Sequence, residues 1–308
     1  MRLCAVSVDL DEIPNYFAIH GLAEPTGPER SMVYDVAIDR LAALASDLRI
    51  PLTLFAIGSD LERPEAAARL REARRSGFEI ANHTLDHRYD LVRLGRDEIR
   101  RQIEQGALAI ERATGERPVG FRAPGYTITD EVFDVLSELG VAYDSSVFPC
   151  PGYWAAKAVA IALITARGRT SRSIVDSPAV LLAPTRPYRV GRPYWRRGEG
   201  LLELPVQVTR GPRIHFIGTT VTLGGPRVAR RLSRMCVGEP LVNLELHGID
   251  VLDAADGLQA LEPHQVDVRV SVERKLESLR AAVEELRGAG YGFVTLREGA
   301  QAVARERS

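Results

Sequence analysis

Apolar positions along the chain switch repeatedly between a period of two and a period near 3.6. Leu3 to Val8 reads as a strand, Val33 to Leu48 as a helix, and "PLTLFAIG", from Pro51, as a strand again. Pro64 to Ser76 has helical spacing, Phe78 to Asn82 is strand-like, Arg96 to Thr114 is helical, and Pro118 to Phe121 is a strand. Thr129 to Gly140 reads as a helix stopped by its glycine, and Val141 to Asp144 as the next strand. Near the C-terminus "PLVNLELHG" predicts a strand, residues 264–290 a helix ending in glycine, and "YGFVTL" a last strand. Repeated βα units of this kind predict an α/β fold around a mostly parallel sheet. A closed or nearly closed (β/α) barrel is the simplest arrangement, and in it polar residues at the C-terminal ends of strands are the site candidates. Neither an internal repeat nor a low-complexity linker divides residues 1–308, so a single domain is expected.

One stretch breaks the rhythm. Residues 150–240 hold fifteen Arg and Lys against four Asp and Glu, although the whole chain has a net charge of -1. Within this basic insertion or lid region, "YWAAKAVAIALITARGRTSR" (153–172) starts aromatic, continues apolar and ends in Arg167, Arg169 and Arg172. It is too short to span a bilayer but suits a helix lying in the membrane interface with its arginines toward headgroups. "RPYRVGRPYWRR" and "PRVARRLSR" add guanidiniums suited to phosphate. The competing reading is a buried helix followed by a solvated basic loop. No RNA- or DNA-binding motif accompanies the charge, so nucleic acid is not an expected partner.

At 308 residues and 45% hydrophobic content the chain can build a full core. Cys4, Cys150 and Cys236 are too widely spaced for a disulfide framework or a CxxC zinc knuckle. The first residues enter an apolar run with no basic leader, which predicts a cytoplasmic protein, peripheral on the inner membrane face if the 153–172 segment binds lipid.

Four strand ends carry the chemistry. "SVDLDE" places Asp9 and Asp11 on one strand face. "FEIANHTLDH" sets His83 and His87 four residues apart, on one face if the chain turns helical there. Two imidazoles and a carboxylate with open positions match the ligand set of catalytic zinc and related divalent ions, leaving the second carboxylate to act as a base. "GFRAPGY" offers Arg122 as a carboxylate partner and a Pro124-Gly125 turn whose N–H could meet an oxyanion. "LELHGID" offers His247 to protonate a leaving group. His20, His215 and His264 read as ordinary, and Glu12, Asp86 and Asp250 as supporting or solvated.

In order, "SVDLDE", "HTLDH", "RAPG" and "LELH" resemble the first, second, third and fifth motifs of the polysaccharide deacetylases with a NodB-homology domain, carbohydrate esterase family 4. The resemblance spans roughly Arg2 to Tyr143 and Leu241 to Leu296. It implies a distorted (β/α)7 barrel, Asp11, His83 and His87 as ligands of a divalent metal (Zn2+ first, with Fe, Mn, Co or Ni as others), and Asp9 as general base. It further implies Arg122 as the partner of Asp9, the Gly125 N–H as oxyanion donor, His247 as general acid, and attack of metal-activated water on an amide. Three departures stand out. The aspartates are spaced D-x-D, which resembles relatives acting on lipid-linked amino sugars (deformylases among them) or on cyclic amides; Gly125 replaces the usual aromatic, with Tyr126 one place later; and the fourth motif's Asp-Trp pair is absent, leaving Asp144 as the nearest acid to orient His247. Tyr126, Asp144, Trp154 and Arg167 complete the candidate substrate contacts. The expected function is removal of an acetyl or formyl group from an amino sugar, possible carriers being lipid or phosphate. Hydrolysis of a cyclic or small linear amide, and a non-catalytic carbohydrate- or lipid-binding barrel, are the alternatives.

Overall fold

The computed structural model describes residues 2–305. The strands are β1 (Leu3–Asp9), β2 (Thr53–Ala56), β3 (Glu79–Asn82), β4 (Gly120–Phe121), β5 (Tyr143–Asp144), β6 (Tyr188–Val190), β7 (Arg197–Glu203), β8 (Leu241–His247) and β9 (Gly292–Phe293). They form one curled sheet in the order β6-β7-β5-β4-β3-β2-β1-β8, with β9 beside the start of β1. Every pairing is parallel except β6 with β7. The helices are α1 (Ile13–Ile19), α2 (Ile38–Leu48), α3 (Pro64–Arg75), α4 (Arg96–Thr114), α5 (Asp130–Glu138), α6 (Pro151–Ala166), α7 (Gly218–Cys236), α8 (Val272–Gly288) and α9 (Leu296–Arg305).

The sheet curls into a half-barrel, and irregular backbone after β7 spans the gap to β8. Gln207 N–H donates to Asn243 O (3.2 Å), the Asn243 amide donates to Leu204 O (3.3 Å), and Ile217 bridges Glu245. At the other end α9 is seated by Leu296 N–H on Thr53 Oγ1 and Arg297 N–H on Glu79 Oε2, both 2.8 Å. The main apolar core packs β1, β2 and β8 against α2, α3, α7 and α8, with Val6, Val8, Leu54, Leu244 and Leu246 nearly free of solvent. Burying side chains of this size contributes about 1.5–3 kcal/mol each.

The βα rhythm of residues 3–144 folds as expected, Arg96–Thr114 to the residue. Elsewhere local chemistry overrides the pattern. The helix expected from residue 264 starts only at Val272, where the Ser271 hydroxyl accepts from Arg274 N–H and caps it. Helix α7 escapes a sequence reading because Pro226 follows Gly225, which sits at φ +77 and kinks it. "YGFVTL" yields a two-residue strand and then the start of α9. The basic stretch 150–240 supplies β6 and β7 to the sheet, together with α6 and α7, and is therefore woven into the fold. Several of its arginines find partners outside it, as in Arg192–Asp134 and Arg234–Glu285. No helix among the described residues is long and apolar enough to cross a membrane. Cys4, Cys150 and Cys236 are free and buried.

Candidate active site

The parallel register sets Asp9 on β1 opposite His247 on β8, and Ser7 opposite Glu245. Asp11 lies just past the end of β1, and His83 just past β3. The His83–His87 segment does not turn helical, contrary to the spacing argument. It is a loop in which Thr84 (φ 71) and His87 (φ 49) take the left-handed conformation, a strain of order 1–3 kcal/mol per residue that surrounding contacts must offset. Asn82 Oδ1 accepts from Thr84 N–H (3.0 Å), Thr84 Oγ1 from His87 N–H (3.1 Å), and the Gln102 carbonyl of α4 from Leu85 N–H (2.8 Å). Gly106 admits this loop, since a Cβ there would stand 2.7 Å from the Thr84 carbonyl carbon.

The loop points both imidazoles at Asp11. His83 Nε2 is 3.3 Å from Asp11 Oδ1, and His87 Nε2 is 3.1 Å from Asp11 Oδ2. On the far side of each ring, His83 Nδ1 donates to Arg122 O (2.8 Å) and His87 Nδ1 to Asn15 Oδ1 (3.2 Å). With the Nδ1 atoms protonated, the Nε2 atoms carry lone pairs toward a carboxylate that can only accept. Accordingly Asp11 Oδ1, His83 Nε2 and His87 Nε2 are buried with no hydrogen-bond partner among the described residues. Three convergent acceptors without a donor are the arrangement a divalent cation satisfies, so the donor set fits the metal that the sequence implies.

Asp9 is held differently. Arg122, wholly buried, donates from Nη1 to Asp9 Oδ1 (2.6 Å), from Nη2 to Ser7 Oγ and Ser145 Oγ (both 2.9 Å), and from Nε to Ser145 O (2.9 Å). Its guanidinium also lies 4.1 Å over the Phe55 ring. The other Asp9 oxygen, Oδ2, stands 3.8 Å from His83 Nε2, facing the metal-type cluster. Asp9, Glu245 and His247 form a second trio of ligand-type atoms within 4.8 Å. Asp9 Oδ1 is committed to Arg122, however, and His247 Nδ1 pairs with Glu245 Oε1 at 2.9 Å. This trio is therefore already paired within the protein. Burial would lower His247, but the Glu245 carboxylate beside it holds the imidazole well above its usual range.

The structure therefore corrects the role considered for Asp144. Its oxygens accept from Ser146 N–H (2.9 Å) and Ser146 Oγ (2.8 Å), and Ser146 Oγ in turn accepts from Ala123 N–H (2.8 Å), so Asp144 props the Ala123–Gly125 turn from beneath. Beside it stands Glu203, raised well above the usual carboxyl range by burial and by Asp144. Glu245 is the carboxylate that orients His247, two residues earlier on the same strand. An alternating strand places residues i and i+2 on one face, so "LELH" held this signal and the reading missed it. Trp154 is also corrected: its indole N–H donates to Asp176 O (2.9 Å) and its ring packs on the second core, pinning α6 in place. Arg167, at the far end of α6, lines a separate groove with His20 and His264.

Around the cluster stand tyrosines that the sequence reading did not single out, apart from Tyr126. The hydroxyls of Tyr16, Tyr89 and Tyr126 are buried without a partner among the described residues. Tyr126 and Tyr16 lie edge-on to His247 at 6.3 and 6.5 Å, and Tyr89 edge-on to His87 at 4.7 Å. Gly125 has φ +62, and a Cβ there would come within 3.0 Å of Tyr89 and 3.2 Å of Lys157 Nζ. Lys157 of α6 donates to Gly125 O (2.8 Å), tying that helix to the turn. Of the residues left aside, Glu12 accepts from Val33 and Tyr34 N–H and Asp250 from His247 N–H, whereas Asp86 pairs with Gln102 and Arg101 nearer the surface.

Comparison with known proteins follows this geometry. The family model described as polysaccharide deacetylase matches residues 33–143, which include the His83–His87 loop and the Arg122–Gly125 turn. A peptidoglycan deacetylase-like protein of Gibberella zeae is 38% identical over 72 residues, 23% of this chain and 21% of that protein, so the chain spans only a fraction of that relative. A putative polysaccharide deacetylase from Mycobacterium smegmatis is similar in fold, with a TM-score of 0.52 at 21% identity over 96% of this chain and 93% of the other. A CE4 family pseudoenzyme from Bacillus anthracis is similar too, with a TM-score of 0.52 at 12% identity over 96% of this chain and 64% of the other. Residues 33–143 thus match the polysaccharide deacetylase family model, and the chain as a whole shares the curled α/β fold of these solved structures.

Proposed function

We propose that the protein is a metal-dependent amidohydrolase that removes an N-acyl group, acetyl or formyl, from an amino sugar. The observation that carries this reading is the convergence of three buried, unpartnered acceptors, Asp11 Oδ1, His83 Nε2 and His87 Nε2, beside the Asp9–Arg122 pair and the Glu245–His247 pair. A divalent ion held by Asp11, His83 and His87 would supply Lewis acidity and make water acidic at neutral pH. The chain supplies the rest. Asp9, held by Arg122 through Oδ1, takes the proton of the attacking water through Oδ2, the water oxygen bonds to the acyl carbon, and the C–N bond breaks as His247 protonates the departing amine. Glu245 keeps the His247 Nδ1–H in place so that Nε2 faces the reacting centre. The unpartnered Tyr16, Tyr89 and Tyr126 hydroxyls give a polyhydroxyl substrate donors and acceptors inside an otherwise dry site.

A carrier-linked amino sugar is the finer reading. It is supported by α6, whose Val159 and Leu163 are 58% and 50% exposed, followed directly by Arg167, Arg169 and Arg172. Elemental analysis and turnover of N-acetyl and N-formyl hexosamines test the chemistry. About one divalent ion per chain is expected, lost in His83→Ala, while Asp9→Asn should keep the metal and lose turnover. Metal retained by His83→Ala refutes the ligand set. A metal-loaded protein that turns over small cyclic amides and no acylated sugar refutes the substrate class.

A further inference from the structure

Beside the catalytic cleft, α1, the inner stripe of α6 and the Pro263–His264 turn enclose a groove of about 230 Å³. Residues 157, 160, 161, 163 and 164 of α6 line it, with Arg167 just past the end of the helix. The groove thus runs from Lys157, whose ammonium touches the Gly125 carbonyl, along about 15 Å of helix to Arg167. Five basic side chains line it (His20, Lys157, Arg167, Arg169 and His264), and no Asp or Glu does. Two carboxylates stand near the lining without being part of it. Asp176 faces Lys157 and accepts from Ser177 N–H (2.7 Å), and Asp267 sits behind Gln265, whose Nε2 donates to it (3.1 Å) while its Oε1 takes His20 Nε2 (2.8 Å). Neither the Arg167 nor the Arg169 guanidinium has an ion pair or hydrogen bond among the described residues, although many other arginines of the chain do. Burial and the positive neighbours Arg169, His20 and Arg167 pull His264 below its usual range, which fits a concave surface with charge of one sign.

The strap carrying Arg169 is fixed. Arg172 N–H donates to Ala18 O of α1 (3.2 Å), and Gly21, at φ +61, lets Thr170 approach so closely that a Cβ would meet its carbonyl oxygen at 2.9 Å. Alongside the guanidiniums, Ile161 and Ile164 give the wall an aliphatic stretch. We propose that this groove binds a phosphate ester of an aliphatic chain, with its phosphate between Arg167 and Arg169 and its alkyl part along Ile161 and Ile164. As the site for the anionic, aliphatic part of a carrier-linked substrate it rests on the reading above, but its binding can be measured without turnover.

The test is calorimetric titration with monomeric decyl phosphate, with neutral decyl glucoside and inorganic phosphate as comparisons, on the full chain and on Arg167→Gln/Arg169→Gln. Both arginines are exposed, so the variant should fold, which its unfolding midpoint checks. Decyl phosphate should bind more tightly than either comparison, and the double variant should lose at least about tenfold in affinity, as expected for two charge-assisted contacts. Equal affinity for decyl glucoside, or an unchanged affinity in the double variant, overturns the proposal. Flotation with vesicles of phosphatidylcholine and phosphatidylglycerol at three to one separates the sources. Recruitment to vesicles alone, lost in the double variant, assigns the phosphate to a bilayer headgroup; binding of free decyl phosphate alone assigns it to a soluble ester; neither overturns the site. The same titration on His83→Ala separates this proposal from the catalytic one. Decyl phosphate bound by a silent protein leaves the groove standing, whereas an active enzyme that binds neither decyl phosphate nor the vesicles loses the groove alone.

Discussion

Replacing Arg122 by methionine removes a fully buried guanidinium that donates four hydrogen bonds and stacks on Phe55, while keeping much of the aliphatic volume. The partner left behind is Asp9, 1% exposed, whose Oδ1 lies 2.6 Å from the missing Nη1. Breaking one side of a buried ion pair costs about 3–5 kcal/mol, because the remaining charge keeps its desolvation penalty and loses its compensation. For a chain of this size roughly 2 °C or more of unfolding midpoint goes with each kcal/mol, so a drop of about 6–10 °C is expected. Asp9→Asn/Arg122→Met carries no stranded charge, and its loss should fall short of the sum of the single losses by about 2–3 kcal/mol. Urea unfolding followed by circular dichroism, in EDTA so that metal binding contributes nothing, gives all three values. Single losses that add to within about 0.5 kcal/mol would refute the claim that Arg122 acts on Asp9. A folded Arg122→Met protein should also lose most of its turnover, since nothing then fixes the Asp9 carboxylate through Oδ1.

Glu245→Gln should lower kcat by about 10²–10³ with KM nearly unchanged, because the amide still meets His247 Nδ1 but no longer favours the imidazolium; a fall no larger than that of Asp144→Asn, which instead should cost mainly stability, would remove Glu245 from its orienting role. Asn15→Ala frees the Nδ1 of His87 and should weaken metal affinity by about 10–100-fold in competition with a chelator; unchanged affinity would mean that the His87 tautomer is fixed by something else. Burial pushes the Asp176 carboxyl up to about 7 from its ordinary 3.8, so the folded state holds its proton to higher pH than the unfolded one. Wild-type stability should therefore fall between about pH 4 and pH 7 relative to Asp176→Asn, with the two alike below that window; a difference that is flat across it would refute the assignment.

The parts legible in the sequence are those in which local pattern and global fold agree. The strand ends holding Asp9, Asp11, His83, Arg122 and His247 were recoverable because alternating apolar runs end abruptly in polar residues, and a parallel barrel gathers such ends on one face. The role of Asp144 was not recoverable from proximity in sequence: it depends on Ser146 turning back under Ala123, a hydrogen-bond chain no spacing rule encodes. Glu245 was hidden by its setting, an acid inside an apolar strand that reads as an interruption until the curl of the sheet turns it inward beside Arg122. Tyr16, Tyr89 and the kinked α7 were hidden for a related reason, since only tertiary packing decides which way a scattered tyrosine faces or whether a Gly-Pro step bends a helix or ends it.

The seven-pair ladder between β1 and β8 makes the spacing of the acid and base a property of backbone registration. Drift of the surrounding loops leaves Asp9 opposite His247, whereas one inserted residue within either strand would put Leu246 or Val8 in the place of its polar neighbour. The His83–His87 loop is fastened crosswise instead: Gly58 and Ser59 N–H donate to Thr84 O and Leu85 O (2.9 and 2.8 Å), His83 N–H to Ala56 O (2.9 Å) and Leu85 N–H to Gln102 O (2.8 Å). Asp9 and His247 therefore share one ladder, whereas His83 and His87 depend on three separate segments that must all hold their places for the two imidazoles to meet Asp11.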